Sequence, residues 1–209
     1  YKNRLPKSYD LNPIADIQIL SPSKKGIGGI QSINSLIQKE VNPPDITKQE
    51  ISYGKSVFRV GDKVMQTKNN YDLEWLKTDG ETGFGIYNGD MGIIAGISTT
   101  DKCMDIVFDD EKLVKYSFNN LDELELAYAI TVHKSQGSEY PFVIIPMTRS
   151  APMLLTRNLI YTAITRASKM VILVGDKSVF EQMVENDSQI IVRNTGLYQF
   201  LRSNCNESV

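Results

Sequence analysis

"AITVHKSQGSEYPFVIIPM", residues 129–147, decides how this chain is read. A short apolar run ends at Thr131. The only histidine follows, then a Lys-Ser-Gln-Gly turn and an acidic residue. Next comes the nearly unbroken apolar run "PFVIIPM" (141–147), the pattern of a strand buried on both faces of a parallel sheet. Open α/β sheets bind ligands at the C-terminal ends of their strands. Hydroxyls, a lysine and backbone N–H groups there suit phosphate oxygens of a nucleotide or a nucleic-acid backbone, and Gly137 lets the backbone come close. A solvated loop with a helix cap is the competing reading of the same residues.

The flanks supply the rest of such a sheet. "ADIQILSP" (15–22) reads as a strand, and "KKGIGGIQSINSLIQKEVNPP" (24–44) as a glycine loop followed by a helix. Ile30, Ile33, Leu36 and Ile37 recur at helical spacing, and Asn42-Pro43-Pro44 ends the helix. "LELAYAIT" (124–131) predicts a strand and "LLTRNLIYTAITRAS" (154–168) a helix. "KMVILVGD" (169–176) predicts another buried strand and "SVFEQMVEN" (178–186) a helix. Strands alternating with helices predict an α/β fold with a parallel sheet. Residues 57–120 break that texture. Tight-turn signals at Gly61-Asp62, Asn88-Gly89-Asp90 and Asp109-Asp110-Glu111 separate four or five short strands, the size of a small inserted barrel.

Composition narrows the function. With 209 residues the chain holds one large domain, or one domain with an insertion. A net charge of −2 and a pI near 5.5 exclude a basic nucleic-acid coat, so a polyanion must be met by local patches. Cys103 and Cys205 have no C-x-x-C neighbours, so neither zinc nor a disulfide framework is expected, and a reducing, cytoplasmic setting fits. No apolar run is long enough to span a membrane. The chain opens on Tyr rather than Met and is expected to be a piece of something longer.

Half of an active site is missing. No G-x-x-x-x-G-K-[ST] phosphate loop occurs, and "GIGGIQSI" (26–33) has neither the lysine nor the spacing. His133 alone cannot build a catalytic triad, and no metal set is evident. Arg166, between an apolar helix and a strand, is either a surface charge or a finger onto a γ-phosphate. Lys55, Arg59, Lys63 and Lys68 gather within fourteen residues, and Lys24 and Lys25 flank the glycine turn. They read as a backbone-binding patch or as solubilising charges. Tyr71 and Trp75 are candidates for base stacking or for packing.

Taken together, "TVHKSQGSEY" (131–140), "LIYTAITRAS" (159–168) and the strand "VILVGD" (171–176) resemble motifs V and VI of superfamily 1 helicases. The upstream blocks "ILSPSKKGIGGIQSINSLIQKEVNP", "FRVGDKVMQTKNNYD" and "IYNGDMGII" resemble the RecD-like branch, whose relatives include the exodeoxyribonuclease V alpha subunit and the UvrD-like C-terminal helicase domain. The resemblance covers about residues 15–200. It implies the second of two RecA-like motor domains, formed by 1–56 and 124–209, with an SH3-like barrel inserted at 57–123.

In that family ATP and Mg²⁺ sit in the cleft between the motor domains, and the phosphate loop and Mg²⁺ carboxylate belong to the N-terminal one. Arg166 matches the arginine that reaches the γ-phosphate. Gly137, Ser138 and Glu139 match the nucleotide-facing end of motif V, with Gln136 beside them. Thr131, His133, Lys134 and Ser135 match the DNA-facing or coupling end, and Lys63 joins the expected DNA contacts. The implied activity is 5′ to 3′ translocation on single-stranded DNA by a monomer, with the N-terminal motor domain of the same chain as partner. This segment alone is expected to bind ATP weakly and not to hydrolyse it. The alternatives are the same domain in a conjugative relaxase-helicase or a Dda-like helicase, and a non-catalytic adaptor derived from a helicase domain.

Overall fold

The computed structural model describes residues 1–149 and 152–186. A helix α1 (Arg4–Tyr9) opens the chain. In order follow β1 (Ile17–Ser21), α2 (Ile30–Val41), β2 (Glu50–Tyr53), β3 (Ser56–Arg59), β4 (Lys63–Gln66), β5 (Asn70–Leu76), β6 (Thr82–Ile86), β7 (Met91–Ser98), β8 (Cys103–Phe108), β9 (Lys112–Ser117) and β10 (Leu124–Leu126). The chain continues with β11 (Ala129–Thr131), β12 (Tyr140–Met147), α3 (Arg157–Ile164), β13 (Ala167–Gly175) and α4 (Lys177–Glu185). The expected last segment beyond residue 186, with Cys205, lies outside the described residues. Cys103 is a free, buried thiol. Among the described residues no helix is long and apolar enough to cross a membrane.

The first sheet is parallel, in the order β11-β1-β12-β13. Alternation along its strands fills both faces. Ile19, Ala129 and Ile144 pack with Ile30, Ile33 and Ile37 of α2. Leu20, Val143 and Ile145 face the other way, onto Leu159, Ile160 and Ala163 of α3 and Val179 and Met183 of α4. This is the RecA-like arrangement expected. β13 departs from the expected buried strand: Leu173 and Val174 are 40% and 54% exposed. Among the described residues it is the sheet's edge, with β12 on one side only.

The second sheet is antiparallel, in the order β10-β4-β7-β8-β9-β5-β6, and curls around a core that includes Val64, Ile94, Ile106, Val114 and Tyr116. β2 and β3 form a separate hairpin. The expected single strand over 124–131 is two strands in two sheets. Leu126 pairs antiparallel with Val64, whereas Ala129 pairs parallel with Ile19. The chain changes sheets at Ala127-Tyr128, both fully buried. A continuous apolar run carries no information about which sheet each residue joins.

Two adjacent buried charges tie the sheets together. The Asp62 carboxylate accepts from Gln38 Nε2 (2.5 Å), Asn42 Nδ2 (2.7 Å), Tyr128 Oη (2.9 Å) and the Arg59 amide (2.8 Å). These donors come from α2, its C-terminal end, the sheet crossing and β3. Lys63 Nζ donates to the Ile14 carbonyl (2.8 Å) and Gln18 Oε1 (3.0 Å), while Gln18 Nε2 donates to the carbonyls of Ala127 and Tyr128. Lys63, expected to face DNA, is instead 6% exposed and spends its donors inside the protein. Apolar contact completes the joint: Met65 and Met91 of the antiparallel sheet share a cluster with Leu20 and Ile130 of the parallel one.

Both charges have measurable consequences. Asp62→Ala strands four buried donors and is expected to lower the unfolding free energy by at least about 3 kcal/mol in urea denaturation. A loss below about 1 kcal/mol contradicts the role given to it. Burial pulls the Lys63 amine from 10.5 down to about 8, with Asp109 and Asp16 opposing. Between those values the unfolded chain keeps a proton that the folded chain has released, so this lysine makes stability rise with pH. The gain from about pH 8 to about pH 9.5 is expected to be about 1.5 kcal/mol, and Lys63→Met is expected to remove it. An identical pH profile in the variant contradicts the assignment.

Candidate functional site

The residues of the opening stretch divide between the two edges of the parallel sheet. Thr131 ends β11 level with Ser21, at the C-terminal edge. A single 3-10 turn, Val132–Ser135, follows, and residues 136–139 then carry the chain back along the sheet. β12 starts at Tyr140, paired with Ala167 at the N-terminal edge. The Gly137–Glu139 end therefore lies at the N-terminal edge, and not at the C-terminal edge that the sequence suggested. Gly137 has φ +88°, and no atom lies within 4 Å of where a Cβ would stand. The positive φ is one that glycine adopts without strain, and the space beside it is open.

That return brings Arg166 to motif V. Its Nη1 donates to the Ser138 carbonyl (3.2 Å) and its Nη2 to Thr165 Oγ1 (3.4 Å). Its own carbonyl accepts from the Tyr140 amide (2.8 Å). The side chain is half-buried, and Nε is buried with no hydrogen-bond partner. Arg166 is thus held in a fixed place and not splayed on the surface. Helix α3, which leads to it, starts at Thr156, whose side chain accepts from the Leu159 amide (3.3 Å). Gln136 and Glu139 are exposed, and Ser138 is half-buried. Among the described residues no three His, Cys, Asp or Glu side chains are placed to hold a metal ion.

At the other edge, His133 is exposed and lines a cavity of about 310 Å³ with Gln136, Thr156, Asn158 and Thr162. Lys134 pairs with Glu125 at 2.9 Å. Thr131 is buried, and Ser135 is fully so; its hydroxyl donates to the Val132 carbonyl (2.8 Å). Ser135, expected to touch DNA, is turned inward and closes the 3-10 turn.

The glycine loop 26–29 is closely packed. Ser21 Oγ donates to the Gly28 carbonyl (2.6 Å), and a Cβ on Gly28 would lie 2.0 Å from Thr148 Oγ1. A Cβ on Gly29 would lie 2.5 Å from the Lys25 backbone. The loop borders a cavity of about 590 Å³ flanked by Lys24, Lys25 and Arg149. Between α2 and the β2–β3 hairpin runs a groove of about 510 Å³ lined by Lys24, Lys39, Lys55, Arg59 and Glu125 among others. Arg59 pairs with Glu50 (2.7 Å). The remaining candidates lie away from this groove. Lys68 pairs with Asp122, the exposed Tyr71 packs edge-on against Tyr87, and Trp75 is flanked by Lys77 and Lys112. Lys39 and Glu125 were not singled out from the sequence, because only the α2–hairpin packing brings them to the groove.

Comparison with known proteins places this geometry. Residues 33–108 match the model of the ATP-dependent RecD-like DNA helicase SH3 domain, and residues 126–174 match that of the UvrD-like helicase C-terminal domain. The ATP-dependent RecD2 DNA helicase of Deinococcus radiodurans is 31% identical over 90% of this chain and 24% of its own length. The RecBCD enzyme subunit RecD of Mycolicibacterium smegmatis is 29% identical over 88% of this chain and 29% of its own. The chain thus spans about a quarter of these relatives. Among solved structures, a Pif1 helicase from Bacteroides in complex with ADP-AlF3 and ssDNA has a similar fold, with a TM-score of 0.55 at 18% identity over 99% of this chain and 48% of that one. The chain belongs to the RecD-like branch of superfamily 1 helicases, with a RecD-like helicase SH3 domain match followed along the chain by a UvrD-like helicase C-terminal domain match.

Proposed function

We propose that this chain is the second motor half of an ATP-dependent DNA helicase that moves 5′ to 3′ on single-stranded DNA. The observation that carries the reading is the contact between Arg166 and the Ser138 carbonyl, which joins motif VI to the nucleotide-facing end of motif V. A half-buried guanidinium with an unpaired Nε is ready for an anion brought to that edge by another domain. ATP supplies a γ-phosphate on which charge develops during transfer, and in this reading Arg166 stabilises that charge. The Mg²⁺ ligands and the phosphate loop come from the N-terminal motor domain, so the segment alone does not turn over ATP.

His133, at the C-terminal edge, and the groove with Lys24, Lys39 and Lys55 face single-stranded DNA in this reading. Phosphate contacts there need local positive charge and not a basic protein. The segment 132–139 links the two edges by a short covalent path. Closure around nucleotide at one edge is thereby transmitted to the DNA grip at the other, and alternating closure yields stepping.

The test uses the full-length protein. Arg166→Ala is expected to slow DNA-stimulated ATP hydrolysis by about 10³-fold or more. The isolated chain is expected to show no turnover above buffer. Wild-type turnover by the variant returns Arg166 to a surface charge and favours the adaptor reading, and Arg166-dependent turnover by the isolated chain refutes the division of labour.

A further inference from the structure

One neighbour of Arg166 is unexplained by that reading. Tyr140 is 8% exposed, and its hydroxyl is buried without a hydrogen-bond partner. An unpaired buried hydroxyl is unfavourable, and phenylalanine fills the same space without it. A second buried group without a partner, Arg166 Nε, belongs to the same edge of the sheet. The two residues are bound through the backbone, since the Tyr140 amide donates to the Arg166 carbonyl at 2.8 Å and Tyr140 pairs with Ala167. Burial holds the phenol above its ordinary range and Asp109 of the antiparallel sheet adds to this; the Ser138 side chain, near enough to act on the phenol but not in hydrogen-bonding geometry with it, and the Arg166 charge oppose it. The phenol therefore keeps its proton at neutral pH. The charged and polar groups acting on it come from both sides: Ser138 and Arg166 from the motor, Asp109 from the barrel.

The pattern is a resting state with its satisfied state still to come. Arg166 Nη1 is parked on the Ser138 carbonyl while Nε and the Tyr140 hydroxyl lack partners. We propose that Tyr140 is a positioning residue for Arg166, its hydroxyl oxygen accepting the Nε–H when the guanidinium engages phosphate and so leaving both terminal nitrogens to the phosphate oxygens. A guanidinium anchored through Nε presents its remaining donors as a fixed fork, which matches the paired oxygens of a phosphoryl group. The inference rests on Arg166 being the nucleotide-facing residue.

The experiment compares wild type, Tyr140→Phe, Arg166→Ala and the double variant in the full-length protein, with ATP varied at saturating single-stranded DNA under steady-state conditions. Tyr140→Phe is expected to lower kcat by about 10-fold or more with little change in KM, since only orientation is lost. Its melting temperature is expected to equal or exceed that of wild type, because a buried hydroxyl without a partner is removed. The double variant is expected to be no slower than Arg166→Ala. Wild-type turnover by Tyr140→Phe overturns the proposal. So does a lowered kcat accompanied by a lowered melting temperature, or one that adds in full to the Arg166→Ala loss. If Arg166→Ala itself keeps wild-type turnover, the underlying reading fails. If only Tyr140→Phe does, the positioning role alone fails.

Discussion

A carboxylate with no charged partner holds this molecule together. Asp62 is fully buried, and its oxygens accept four hydrogen bonds from α2, the end of α2, β3 and the sheet crossing at Tyr128. Burial pushes its carboxyl upward, and the donors from Asn42, Tyr128, Gln38 and Arg59 pull it back. A buried charge persists only where such donors surround it. The antiparallel barrel thus cannot rotate on the parallel sheet without stripping Asp62 of donors and Lys63 of the Ile14 and Gln18 acceptors.

That constraint reaches the candidate site residues along a short path. Tyr128, gripped by Asp62, immediately precedes β11, and β11 leads into the segment that carries His133 and Ser138. β10, two residues before β11, is hydrogen-bonded to β4 directly after Lys63. The position of the 132–139 segment is therefore fixed at its start by the barrel joint and near its end by Arg166 on Ser138. Three of its side chains face solvent at 133, 136 and 139, whereas Ser135 is spent on holding the turn.

Much of the fold was legible in the sequence, for reasons that also mark the limits. Helical spacing gave α2, the unbroken run gave β12, and the turn residues gave the barrel hairpins. Three features were hidden because they depend on partners far along the chain. The run 124–131 could not show that Leu126 and Ala129 join different sheets. Lys63 looked like a surface charge, since nothing in its neighbours announces the Gln18 acceptor forty-five residues away. The close approach of Thr148 to Gly28 and of the Lys25 backbone to Gly29, which excludes side chains there, could not be read from the glycines of "GIGGIQSI". The Arg166 and motif V assignments came from family resemblance. Their juxtaposition needed the β12–β13 register, and Tyr140 needed it too.

In the proposed function, residues 132–139 serve two ligands at opposite sheet edges. Amide hydrogen exchange in the full-length protein tests this most directly, with single-stranded DNA alone, a non-hydrolysable ATP analogue alone, and both. DNA alone is expected to slow exchange around His133–Gln136, and nucleotide alone to slow it around Gly137–Tyr140 and Arg166. Protection of the whole segment by one ligand, with none from the other, would contradict it.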